Sequence, residues 1–381
     1  MPFRKSIAAA AVLAALPHLG HAVQGIESAQ VHFAQVAALE GPAAALGQGM
    51  RLGLLAAFEE ANAAGGIHGR RIVLDSFDDG YEPDRSVAHV KTVIGGDAHL
   101  GLIGAVGTPT SAATQPAATD AGLPFIGPFT GAGFLRDPQL ANVLNIRATY
   151  FAETEAWIEY LVDRQGMKSV AILYQDDGFG RVGLAGVTEA LERRGMTLAA
   201  EGTYTRNTVA VKKALLDIRK AEPEAVVMVG AYKPVAEFIR LSRKLKFDPT
   251  FVNISFVGSK ALAGELGADG EGVIVSQVVP FPWDASVPAV AAYQAALAAV
   301  DPAAEPGFVS LEGYLTGRVA VMALEKAGTN VTRESFLQAM TTLGDVDLGG
   351  VSMAFGPGDN QGMESVFLTR ITADGSFEPV E

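Results

Sequence analysis

Two pairs of adjacent acids, Asp78-Asp79 and Asp176-Asp177, and four histidines, His32, His68, His89 and His99, are the residues best suited to acid–base or metal chemistry in the body of the chain. Their spacing argues against both. No two of these histidines stand four apart, and none has a metal-binding acid at a recognisable spacing. Each acidic pair follows a strand-like apolar run, a position from which Asp caps the next helix or faces water. Neither a Gly-x-Ser-x-Gly elbow nor a phosphate loop occurs. Gly131-Ala-Gly133 opens like a dinucleotide fingerprint, but Arg136 stands where its third glycine belongs. The absence of cysteine removes disulfides, thiol nucleophiles and Cys-rich zinc sites. The pattern implies no metal and no cofactor, and a hydrolytic enzyme is the weakest of the functional readings.

The elements that must position any site alternate between short β-rich runs and longer helical stretches. Val31–Val36, Arg71–Asp75, Leu100–Ile103, Ser169–Leu173 and Ala225–Val229 read as strands. Gln48–Ala63, Asp84–Ile94, Phe151–Gln165, Gly183–Arg194, Val209–Lys220 and Pro234–Lys246 read as helices, punctuated by Gly or Pro. Such alternation predicts an α/β fold with parallel-rich sheets covered by helices. At 381 residues one core is too large, so two Rossmann-like lobes are expected. Three crossings are placed near Asn145–Tyr150, Gln277–Trp283 and Leu348–Met353. They assign 27–147 with 283–350 to the first lobe and 148–282 with 351–381 to the second.

Arg4 and Lys5, the apolar run Ile7–Leu16 and the small residues around Ala22 have the anatomy of a secretory signal peptide over residues 1–22, with cleavage after about Ala22. The run is far shorter than the roughly 20 residues of a spanning helix. No later stretch reaches that length without charge, Gly or Pro, so the mature chain is expected to be soluble and outside the membrane. The formal net charge is −13 and falls by two more when Arg4 and Lys5 leave with the leader, which disfavours nucleic acid and anionic lipid as partners.

Three segments, Glu40-Gly-Pro-Ala-Ala-Ala-Leu-Gly47, Glu59 to Leu74 and Asp78-Asp-Gly-Tyr-Glu-Pro-Asp84, closely resemble the leucine/isoleucine/valine-binding family of periplasmic proteins. The likeness continues through Gly104–Ser111, Leu123–Pro128 and Tyr174–Gly180 and covers nearly the whole mature chain. The resemblance implies a type I periplasmic binding fold whose lobes, joined by three hinge crossings, close around a small-molecule ligand. It also implies an ABC permease of the inner membrane as partner. The expected protein is a periplasmic, monomeric solute-binding subunit of an importer, with a ligand-sensing subunit as the alternative within the same class.

By the same resemblance the ligand site draws on both lobes. Thr108 and Thr110 open a helix that follows a strand, where a hydroxyl and the helix N-terminus favour a carboxylate by up to ~2 kcal/mol in a buried geometry. Pro128, Phe129, Thr130 and Gly131 form the next loop, with Thr130 supplying a hydroxyl one place earlier than the family pattern. Leu46 takes the place of an aromatic wall. Phe179, Tyr232 and Phe256 are the expected second-lobe contacts, and Tyr150 stands beside a crossing. The expected ligand is a small carboxylate-bearing organic molecule: an amino acid, an aromatic or aliphatic acid, or an amide. No carboxylate appears around Ser255–Ser259 to pair an α-ammonium, which favours an acid without one unless Glu153, Asp176 or Asp177 supplies the charge.

Overall fold

In the computed structural model, residues 24–380 are described, and the segment read as a leader lies outside them. The first lobe is built by β1 (Gln30–Ala37), α1 (Ala44–Ala63), β2 (Arg71–Asp78), α2 (Pro83–Gly95), β3 (Gly101–Ile103), α3 (Thr108–Asp120), β4 (Phe125–Ile126) and β5 (Val143–Leu144). Its sheet runs β2-β1-β3-β4-β5 with every neighbour parallel. Parallel strands need crossover helices, and these cover both faces, which is why β1 is buried along most of its length.

The chain leaves this sheet after β5 and enters α4 (Tyr150–Ile158), which continues as a π-helical turn to Arg164. The second lobe then adds β6 (Val170–Gln175), α5 (Gly178–Glu192), β7 (Ala200–Tyr204), α6 (Lys212–Arg219), β8 (Ala225–Val229), α7 (Tyr232–Lys244), β9 (Thr250–Asn253), α8 (Ser259–Leu266) and β10 (Ile274–Gln277). After β10 the chain returns to the first lobe as α9 (Pro288–Val300) and α10 (Phe308–Ala327), both packed on α1. The α1–α10 contact is close because glycine lines it: a Cβ on Gly53 would lie 1.9 Å from the Ser310 carbonyl oxygen. α11 (Arg333–Thr341) and the hairpin β11 (Gly344–Asp347) with β12 (Ser352–Phe355) follow. β13 (Phe367–Ile371) and β14 (Phe377–Pro379) finish the second sheet, whose order is β14-β13-β10-β9-β8-β6-β7. Only these last two strands pair antiparallel in it.

The third crossing falls later in the chain than the sequence placed it. Met353 and Phe355 alternate with exposed neighbours on β12 and give the hairpin one apolar side, and Phe355 lines one cavity with Pro138, Leu140 and the β5 residues Val143 and Leu144. The chain beyond the hairpin stays there. The Asn145 amide donates to the Asn360 carbonyl at 2.8 Å, and the Gly362 and Met363 amides donate to Asn145 and Ile146 at 2.9 and 2.8 Å. Residues 352–363 therefore pack with the first lobe, and the passage to the second sheet is at 364–366.

Candidate functional site

On the first lobe, β3 ends in a tight turn at Gly104 and Gly107, and α3 starts at Thr108. The Thr108 hydroxyl shares a hydrogen bond of 2.7 Å with that of Thr130, from the loop after β4, and both side chains are buried. Thr110 does not join them. Its hydroxyl turns back to the Val106 carbonyl and, at 3.0 Å, to that of Gly107, the local bond a threonine makes when it can reach the carbonyl of the preceding turn. The Thr110 hydroxyl thus donates to the turn that starts α3. Pro128 shapes the turn, its carbonyl accepting the Thr130 amide at 2.7 Å. Gly131 accepts the Tyr150 amide at 2.9 Å, and a Cβ there would come within 2.6 Å of the Tyr150 ring.

From the second lobe come Tyr150 at the start of α4, Phe179 in the first turn of α5, and Phe256 in the 3₁₀ turn Ser255–Val257. Asp177 caps α5 by accepting the Phe179 amide at 3.0 Å. Phe256 reaches across to the first lobe, with ring centroids 5.4 Å from Phe129, 5.9 Å from Tyr81 and 4.6 Å from Phe179. Tyr150 lies 5.4 Å from Phe179. The rings are tilted, as aromatic quadrupoles favour, and all are buried. Leu46, on α1, faces Gly258 across the seam, so closely that a Cβ on Gly258 would sit 2.5 Å from its methyl. Tyr232 stands farther out and accepts the Ala45 amide at 3.4 Å, a contact between lobes at the edge of the site. Beside Leu46 an open groove of about 440 Å³ follows the seam.

Three charged residues complete the interior, and sequence reasoning gave two of them no role. Arg147, in the first crossing, makes a two-armed ion pair with Glu312 of α10 at 2.8 Å on each arm, with 1% and 2% of the side chains exposed. Its guanidinium lies 4.2 Å over the Phe129 ring. Burial works against this charge, but Glu312 outweighs it and holds the Arg147 pKa above its usual value. Arg147 Nη1 is buried with no hydrogen-bond partner within the protein, and the buried Tyr150 hydroxyl, which stands close to that of Thr130, makes no hydrogen bond of good geometry. An arginine in the largely apolar stretch Val143–Ala148, where Asn145 is the other polar residue, was the available signal.

Of the three acids named as able to supply the charge missing around Ser255, Glu153 is the one that stands there. It projects from α4, fully buried, and accepts the Ser255 amide at 2.8 Å, the Ser255 hydroxyl at 2.9 Å and the Ser276 hydroxyl. Burial pushes its carboxyl above the usual pKa, against the pull of Arg147 and the serine donors. Asp176 and Asp177 are engaged elsewhere, with Arg181 at 2.7 Å and Arg206 at 3.0 Å. On the outer side of the first lobe His32 and His99 both contact one oxygen of Asp75, at 2.9 and 3.2 Å. Among the described residues no group of His, Asp and Glu is arranged to hold a metal ion, and no helix is long and apolar enough to cross a membrane.

The arrangement is a buried aromatic seam between two lobes, with hydroxyls, a helix N-terminus and two buried donors at one end. The family model described as periplasmic binding protein matches residues 30–376. The chain is 25% identical over 255 residues to Leu/Ile/Val-binding protein homolog 7 of Brucella melitensis, a match covering 65% of this chain and 63% of that protein. It is 28% identical to the Leu/Ile/Val-binding protein BraC3 of Rhizobium johnstonii, over 82% of this chain and 83% of that one. The crystal structure of a possible leucine/isoleucine/valine-binding protein from Rhodopirellula baltica superposes with a TM-score of 0.88 at 36% identity, covering 95% and 98% of the two chains. With the same two-lobed architecture and a match running nearly end to end, the chain belongs to the periplasmic binding protein family, in the branch whose named relatives are leucine/isoleucine/valine-binding proteins.

Proposed function

We propose that this protein is the exported solute-binding subunit of an ABC importer, working in the periplasm after loss of its leader, and that it closes its lobes on a small carboxylate-bearing organic molecule without transforming it. The observation that carries the ligand class is the pair of buried donors, Arg147 Nη1 and the Tyr150 hydroxyl, beside the Thr108–Thr130 hydroxyl pair. An arginine can only donate, and a buried donor left unpaired is costly, so the matching group on the ligand is an acceptor, best an anion. The first turn of α3 adds unpaired backbone amides of the same polarity. The rings of Phe129, Phe179 and Phe256 supply the apolar remainder. The names of the Brucella and Rhizobium relatives support a branched amino acid or a molecule of that size.

Thermal-shift measurements over matched pairs test this reading: L-leucine with 4-methylpentanoate, L-phenylalanine with 3-phenylpropanoate, and the amide of each acid. Because bound ligand stabilises by RT ln(1 + [L]/Kd), a true ligand at a hundred times its Kd adds about 2.7 kcal/mol. Carboxylates are expected to raise the melting temperature and their amides to do so far less. Amides that match the acids, or a flat response across the panel, would overturn the carboxylate reading. Comparing the two members of each pair reads whether Glu153 accepts an ammonium.

A further inference from the structure

At the rim of the seam the loop after β7 reaches from the second lobe onto the turn between β2 and α2 of the first. Arg206 donates to Glu82 at 2.9 Å and to Asp177 of its own lobe at 3.0 Å. Its neighbour Asn207 donates to the other oxygen of Glu82 at 2.7 Å and to the Gly80 carbonyl at 3.0 Å. One residue away, the Tyr81 hydroxyl accepts the Gln175 amide at 3.2 Å, again from the opposite lobe. Three consecutive residues, Gly80 to Glu82, thus take four polar contacts from the opposite lobe; Lys260 with Glu305 at 2.6 Å and Ala45 with Tyr232 at 3.4 Å cross elsewhere along the seam.

Both sides of this contact hold non-glycine residues in the left-handed region, Tyr81 at φ 62° and Asn207 at φ 59°. Asparagine tolerates that conformation, but a tyrosine adopts it only where its surroundings enforce it. What enforces it is visible. The Tyr81 amide donates to Asp79 at 2.8 Å, the Arg206 guanidinium lies 5.8 Å over its ring, and the ring rests on Gly107, where a Cβ would be 2.2 Å from it. Gly107 is the residue before Thr108. The rim contact is therefore mechanically continuous with the start of α3, although Glu82, Arg206 and Asn207 are not part of the ligand-facing cluster.

We propose that Glu82, Arg206 and Asn207 form a latch that keeps the closed arrangement of the lobes populated before ligand arrives and holds Tyr81 over the α3 N-terminus. Glu82 is 44% exposed and Arg206 22%. The ion pair stays close enough to water to break and re-form, and salt screens it, as it does not screen the buried Arg147–Glu312 pair. The latch deepens the solute-binding reading and rests on it for its purpose, because a pre-closed fraction raises apparent affinity by sparing the ligand the work of closure.

The test needs no ligand. The chain has no cysteine, so Lys91→Cys and Lys212→Cys, one exposed site on each lobe, accept spin labels without background. Interlobe distances are read by double electron–electron resonance in the unliganded protein. The wild type is expected to show a substantial closed population at low salt, with the closed-to-open ratio falling about fivefold in Arg206→Gln and in Glu82→Gln, since one partly exposed pair supports a shift of that order. The double variant should fall little further, because the two act through one contact. High salt should move the wild type toward the variants. Asn207→Ala, which removes two bonds and no charge, should lower the ratio as well, and melting curves confirm that each variant is folded. A wild type that is wholly open without ligand overturns the proposal, as does a ratio that stays within twofold in the folded variants. A flat thermal-shift panel alongside a working latch would count against the ligand class alone.

Discussion

Two arginine–carboxylate pairs border the seam between the lobes, and they differ in nearly everything except chemistry. Arg147–Glu312 is sealed, two-armed and joins the first crossing to α10 within one lobe. Arg206–Glu82 is single-armed, half in water, and joins one lobe to the other. Buried charge is costly to unpair, so the inner pair can fix a geometry and cannot serve as a moving part. The outer pair is worth less to the fold and can be broken, as a contact made and lost on closure must be. The difference teaches that the protein keeps its strong electrostatics for positioning Arg147 beside Phe129 and leaves weak electrostatics at the rim.

The comparison breaks most visibly if the inner pair proves dispensable. Glu312→Ala strands the Arg147 guanidinium among apolar groups and is expected to lower stability by about 3–5 kcal/mol in urea unfolding. Glu82→Ala, tested alongside, should cost under about 1 kcal/mol. Equal losses would show that burial does not separate the two pairs. A smaller effect follows from steric fit: Gly131→Ala pushes a Cβ toward the Tyr150 ring and the Tyr150 amide, at 2.6 and 2.7 Å, and overpacking of that kind costs roughly 1–3 kcal/mol. Because the strain falls on Tyr150, carboxylate binding should weaken more than unfolding alone accounts for.

How much of this was legible in the chain depended on range. Periodicity located five of the ten parallel strands, β1, β2, β3, β6 and β8, with six of the helices, and the strand-end rule pointed to the loop after β3 and to Thr108. Phe129, Thr130, Phe179 and Phe256 came from the resemblance alone. What escaped were contacts between residues far apart in sequence: Arg147 with Glu312, Glu153 with Ser255 and Ser276, Arg206 with Glu82. No local pattern encodes such pairings. Thr110 shows the opposite limit, since its hydroxyl donates to carbonyls three and four residues back, a local bond that residue type alone does not specify. The late third crossing has the same origin, for the burial that holds β12 and residues 360–363 to the first lobe is decided by β5, some two hundred residues earlier.

The finest test of the inner region separates a group that holds the fold from one that waits for a ligand. Burial pushes the Tyr150 phenol above its usual pKa, so it is a neutral donor across the working range. Its oxygen stands close to the Thr130 hydroxyl but makes no hydrogen bond of good geometry within the protein, so removing it relieves a desolvation cost and breaks little. Tyr150→Phe keeps the ring beside Phe179 and Gly131 and should leave unfolding stability within about 0.5 kcal/mol of wild type. Hydrogen bonds to charged groups contribute about 1.5–3 kcal/mol, so titration calorimetry with the best-binding carboxylate of the matched pairs should show affinity falling at least tenfold. A variant that loses stability and retains affinity would make Tyr150 a packing residue, and the polar end of the site would then rest on Arg147 and the two threonines.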